Sequence, residues 1–134
     1  VFPENFVTTE TKEVFLNAEP LEVILKNLEK INEIDNLDVY ILSLARSFII
    51  VEEKKQWLKK YAPFIREENY ILLNKENGDY NAENREFIKS IKMMEKLNEY
   101  DYVILLDDDH KILKRTLNEI GKNGEVFHVS SATM

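Results

Sequence analysis

The residues most able to do chemistry stand in one run, Asp107-Asp108-Asp109-His110, directly after the apolar stretch Tyr102-Val103-Ile104-Leu105-Leu106. Three successive carboxylates repel one another, so a purely structural motive is weak unless a cation or a helix N-terminus compensates them. Oxygen-rich clusters at strand ends suit Mg²⁺, a hard cation that takes one or two carboxylates and keeps several waters. Asp107 and Asp108 are therefore the candidate metal ligands. The competing explanation is an acidic helix cap, with Asp109 capping a helix from about residue 111. Ser43 is a second candidate. It follows the apolar run Val39-Tyr40-Ile41-Leu42, and a small hydroxyl at a strand end can bond a phosphate oxygen with help from backbone N–H groups.

These groups need elements to position them. Pro20 starts a helix that the spacing of Leu21, Ile24, Leu25, Leu28 and Ile31 carries over about 20–34. Apolar runs rich in β-formers predict strands over 39–42, 70–73, 102–106 and 126–129. Between them, helices are predicted over about 51–61, 82–97 and 112–120, with Pro63 and Gly121 as stops and Asn77-Gly78-Asp79 as a turn. Alternating helices and wholly apolar strands predict an α/β fold: a parallel sheet covered on both faces. Right-handed crossovers then gather the strand C-terminal ends, with Ser43, Asn74-Lys75, Asp107-Asp108-Asp109 and Ser130-Ser131, on one edge.

Composition sets the limits. The 134 residues suffice for one domain, and 44% hydrophobic with 32% charged residues is an ordinary globular balance. Cysteine is absent, which removes disulfides, thiolate zinc sites and thiol nucleophiles, and is compatible with the cytoplasm. A net charge of −7 argues against binding duplex nucleic acid, which needs a basic stripe. The densest basic pairs, Lys54-Lys55 and Lys59-Lys60, read as a solvated helix face. No apolar run approaches the roughly 18–20 residues of a membrane span. The opening Val1-Phe2-Pro3-Glu4-Asn5 is no signal peptide and has no Met, so upstream sequence is expected. His110 reads as a surface helix residue, His128 as packed within its strand, and Trp57 as core.

The order strand-Ser-loop-helix, a later Lys, then strand-Asp-Asp resembles motifs II, III and IV of haloacid-dehalogenase-superfamily phosphatases. Ile41-Leu42-Ser43, followed by Glu53-Lys54 and Trp57-Leu58-Lys59-Lys60-Tyr61, looks like the deoxyribonucleotidase-type branch. The closing His128-Val129-Ser130-Ser131 is similar to its phage and bacterial members. The resemblance covers roughly residues 19–131. It implies a three-layer Rossmann-like core and a Mg²⁺-dependent phosphomonoesterase acting on a small phosphorylated substrate such as a nucleotide. Ser43 would hold phosphate, Asp107 and Asp108 would hold Mg²⁺ directly or through water, and Lys89, ahead of Lys75, would be the motif III lysine.

One motif is missing. The family's nucleophile lies in Asp-x-Asp-x-Thr at the end of a central strand, where the first Asp attacks phosphorus and the second protonates the leaving group. No Asp-x-Asp precedes Ser43; Asp35 and Asp38 lie at the wrong end of their strand. The expectation is a single, N-terminally incomplete domain over 1–134, its central strand supplied by upstream sequence or a partner chain. The alternative is a non-catalytic binding module of the same fold. A receiver-type signalling domain is disfavoured, because only 25 residues follow Asp109, too few to reach a later phosphoacceptor strand.

Overall fold

The computed structural model describes residues 22–128, and side chains from Leu25 onward. The expected helix start at Pro20 and Leu21, the strand residue Val129 and the pair Ser130-Ser131 lie outside the described residues. The chain falls into two compact units, divided between Asp79 and Tyr80.

The first unit runs α1 (Glu22–Asn32), β1 (Ile41–Ala45), α2 (Phe48–Tyr61) and β2 (Tyr70–Asn74). β1 and β2 pair in parallel, from Ile41 opposite Tyr70 to Ala45 opposite Asn74. The strand expected over 39–42 is thus shifted toward the C-terminus, and its ladder partner explains why. β2 cannot begin before Tyr70, because Glu67–Asn69 forms a tight 3₁₀ turn. Val39 is still buried, but its carbonyl accepts from the Asn69 side chain at 3.1 Å instead of joining the ladder. Ser43 is consequently the middle residue of β1 and not the residue after it.

α2 begins three residues earlier than expected, at Phe48. Ser47 is in extended conformation and its hydroxyl accepts from the Ile50 N–H at 3.3 Å, which caps the helix. The Glu76 carboxylate accepts from the Phe48 N–H at 3.4 Å, placing negative charge at the positive end of the helix dipole. Ile50, Trp57 and Leu58 are buried, and the Trp57 and Tyr61 rings meet at 5.1 Å.

The second unit runs α3 (Ile88–Lys96), β3 (Val103–Asp107), α4 (His110–Ile120) and β4 (Gly124–His128). β3 and β4 are parallel, from Val103 opposite Gly124 to Asp107 opposite His128. α3 starts at Ile88, well after the expected residue 82. Asn81 accounts for the delay: its side-chain oxygen accepts from the N–H groups of Glu83 at 2.8 Å and Asn84 at 2.9 Å. That local bonding competes with helix and holds the chain in turns. Gly124 lets β4 approach closely, since a Cβ there would lie 2.4 Å from the Val103 carbonyl oxygen and 2.7 Å from Ile120 Cδ1.

The α/β class and the parallel pairing are present, but among the described residues each sheet has two strands. Among the described residues β1 has one ladder partner, β2, and β3 has one, β4. Among the described residues β3 is not covered on both faces. Val103, Leu105 and Asp107 face inward, whereas Ile104 is 50% exposed and the neighbouring Phe127 49%. Successive strand residues point to opposite faces, so one face of this sheet is packed, while Ile104 and Phe127 on the other are exposed.

Candidate functional site

The acidic run sits at the C-terminal end of β3. Asp107 is the last strand residue, so its backbone is fixed by the ladder and its side chain points to the packed face. Lys89, the second residue of α3, reaches it from the first helical turn. Lys89 Nζ donates to Asp107 Oδ2 at 2.5 Å, and the Asp109 N–H donates to Asp107 Oδ1 at 3.0 Å. The pair is shut away from water, with Lys89 5% and Asp107 3% exposed. Burial alone pushes the Asp107 carboxyl up; the Lys89 charge, its hydrogen bond and the Asp109 N–H outweigh this and hold it below the ordinary carboxylate value.

The other acids divide the remaining tasks. Asp109 Oδ1 accepts from the Lys111 and Ile112 N–H groups at 2.9 and 3.3 Å and caps α4. Asp108 is half-buried, and its carbonyl oxygen lies 3.2 Å from His128 Nε2. His110 stacks on His128, with ring centroids 3.9 Å apart and planes 5° from parallel. Both rings are exposed.

In the first unit Ser43 is 5% exposed and its partner is Lys54. Lys54 Nζ donates to Ser43 Oγ at 2.5 Å and to the Leu44 carbonyl at 2.6 Å. The Lys75 N–H bonds the Ala45 carbonyl at 2.9 Å. The peptide groups of alternate residues in a parallel strand face alternate edges, so the Leu44 carbonyl faces away from β2, and Lys54 satisfies it there. The expectation that Lys54 belongs to a solvated face fails: it is 2% exposed. Spacing held the signal, because Ile50, Glu53, Lys54, Trp57 and Leu58 fall on one stripe of a 3.6-residue helix. Lys75, expected beside a phosphate, follows the last residue of β2 and is exposed.

Of the residues singled out in sequence, Lys89 and Asp107 meet directly, and Ser43 meets a lysine other than those proposed for it. The chain matches no family model, no curated protein and no solved structure.

For Mg²⁺ the donors are right in kind: Asp107 and Asp108 offer hard carboxylate oxygens on adjacent residues at a strand end. Among the described residues no third acid or histidine completes a cluster with them. Two carboxylates are enough for a water-rich Mg²⁺ site, although Lys89 occupies Asp107 Oδ2.

Proposed function

We propose that the chain carries the phosphate- and metal-handling part of a haloacid-dehalogenase-type phosphomonoesterase, a cytoplasmic enzyme acting on a small phosphorylated substrate of the nucleotide kind. The observation that carries this reading is the buried contact between Lys89 and Asp107 at the end of a parallel strand. The resemblance assigned these two residues to one site from separate motifs, and separation in sequence gave no reason for them to touch.

On this reading Lys89 supplies fixed positive charge for a phosphate, and Asp107 with Asp108 would hold Mg²⁺. Bound Mg²⁺ would offset negative charge on the phosphoryl oxygens. Ser43, whose oxygen accepts from Lys54, would be the phosphate-binding hydroxyl of the first unit. The nucleophile must come from a strand bearing Asp-x-Asp-x-Thr that this sequence does not contain, and the same strand would complete a three-layer Rossmann-like core.

The test fuses such a strand to the N-terminus and follows hydrolysis of p-nitrophenyl phosphate and of nucleoside monophosphates. Mg²⁺-dependent turnover that Asp107→Asn lowers by about 10²-fold or more is expected, the scale of losing one preorganised charge at a reacting phosphoryl group. Turnover indifferent to Asp107→Asn, or none with any phosphomonoester, rejects the reading.

A second reading, a non-catalytic module that binds phosphorylated ligands, is favoured by the Lys89 ammonium already neutralising Asp107. It expects inorganic phosphate to bind the chain, followed by ³¹P NMR, with no turnover after the strand is restored.

A further inference from the structure

A groove runs between α3 and α4 of the second unit. Both helices start from the C-terminal end of β3: Lys89 in the first turn of α3 reaches Asp107, and α4 opens at His110. They pack side by side and leave a cleft of about 590 Å³ lined by Phe87, Ile91 and Met94 among others. Ile91 is 42% and Met94 40% exposed. A smaller cleft of about 220 Å³ adjoins it, because Arg115 lines both. The Arg115 guanidinium sits 5.0 Å from the centre of the Phe87 ring.

Charge is ordered along this groove. The smaller cleft is lined by the bases Lys111, Lys114 and Arg115 and by one acid, Glu86; the larger holds the acids Glu95 and Glu119, with Arg115 its one base. One end is therefore basic and the other acidic. The stability of α4 does not call for this order. A helix favours acids in its first turn and bases in its last, whereas α4 has Lys111 in the first and Glu119 in the last. Ion pairing within the chain does not account for it either. Arg115 Nε lies 3.6 Å from Glu119 and Lys111 Nζ 3.8 Å from Glu86, between side chains largely open to water, and such pairs contribute little. The three bases and three acids cancel, in a chain whose net charge is −7.

We propose that this groove is where a second copy of the chain docks, about a two-fold axis that crosses the helices and sets the basic end of each copy against the acidic end of the other. A two-fold interface must be self-complementary. An apolar groove that is basic at one end and acidic at the other meets that condition when turned end for end; a rim of one sign would call for a foreign partner of opposite charge. Its neutrality lets two acidic chains meet without net repulsion across the contact. With the axis near the middle of α4, Arg115 of each copy faces Glu119 of the other, and Ile91 and Met94 of both copies supply the apolar centre. Lys89 and Asp107 do not line the groove, so the dimer and the phosphomonoesterase reading stand or fall separately.

The experiment is sedimentation velocity of the whole chain over a concentration series, with Arg115→Glu and Glu119→Lys run singly and mixed in equal amounts. The wild type is expected to reach twice the 15.9 kDa chain mass. Each single variant should need about tenfold or more higher concentration to associate, the scale of close charge pairs broken at an interface. Mixed, the two variants should recover wild-type association as a heterodimer. The acid introduced at 115 then faces the base introduced at 119, and the unaltered Glu119 of one faces the unaltered Arg115 of the other. Both positions carry exposed side chains, and circular dichroism checks that each variant is folded.

A wild type that stays monomeric overturns the inference, as do single variants that associate like wild type, or a mixture that associates no better than its components. For a monomeric wild type, nuclear Overhauser contacts of the Met94 methyl group name the other occupant. Contacts to Phe2, Phe6 or Phe15 give the groove to the chain's own first residues, and their absence gives it to a different protein; either result replaces the dimer.

Discussion

Replacing Lys89 by Met removes the positive charge while nearly preserving side-chain length. Asp107, 3% exposed, is left with the Asp109 N–H as its described donor. Breaking a buried pair on one side typically costs about 3–5 kcal/mol, against a whole-domain stability of roughly 5–15 kcal/mol. The size of the loss must depend on pH. In the wild type the folded Asp107 pKa lies below its ordinary value, so ionised Asp107 contributes stability that is present above about pH 4 and lost as pH falls through the folded value. In the variant the lysine is gone and burial remains, so the folded pKa rises above the unfolded one. The variant therefore loses stability as pH rises through that range. The gap between the two proteins should be full at pH 7 and shrink below about pH 4. Urea unfolding at both pH values measures it, with amide exchange at Leu105 reporting on β3. The double variant Lys89→Met/Asp107→Asn should recover much of the loss at pH 7, because no charge remains buried alone. A loss below about 1 kcal/mol at pH 7, the range of a surface pair, or a loss equal at both pH values, refutes the buried-pair account.

Three further substitutions probe the frame around the sites. Gly124→Ala forces a methyl group to within 2.4 Å of the Val103 carbonyl oxygen; thermal unfolding should show a loss of about 1–3 kcal/mol or more from overpacking, with the β3–β4 unit affected first. Lys54→Ala strips hydrogen bonds from Ser43 Oγ and the Leu44 carbonyl, and at about 1–3 kcal/mol per buried group left unsatisfied should destabilise the first unit clearly in urea. Lys60→Ala, on the exposed side of the same helix, should stay within about 0.5 kcal/mol.

Strands were legible in this sequence because each holds a short apolar run, and their ends were not, because a ladder partner decides them. β1 moves two residues on because β2 cannot start before the Glu67–Asn69 turn. That shift changes chemistry as well as boundaries, since it takes Ser43 from the end of a strand into its middle. The delayed start of α3 has a local cause, the side-chain bonds of Asn81 and Asn84, and it matters to the site: with the helix starting at Ile88, Lys89 stands in the first turn, and from there it reaches the end of β3. The open face at Ile104 and Phe127 could not be read from composition, because an apolar run looks the same whether one face or both are covered.

Charge was the hardest feature to read. Lysine is rarely buried, so a doublet such as Lys54-Lys55 suggests a wet surface, yet the helical stripe through Ile50, Trp57 and Leu58 passes through Lys54. Among the described residues each unit buries one lysine beside its leading strand: Lys54 on Ser43 and Leu44, and Lys89 on Asp107. Stability does not call for this arrangement, because a buried charge must repay its lost hydration and well-packed apolar residues of the same volume usually serve as well or better. Two buried ammonium groups, each held to a carbonyl, hydroxyl or carboxylate of a parallel strand, are costly as scaffolding. They become economical if their charge is directed at an anion. The bonds to Ser43 and the Leu44 carbonyl, and to Asp107, hold each of these ammonium groups against its own strand, and in the second of them the lysine and carboxylate charges cancel.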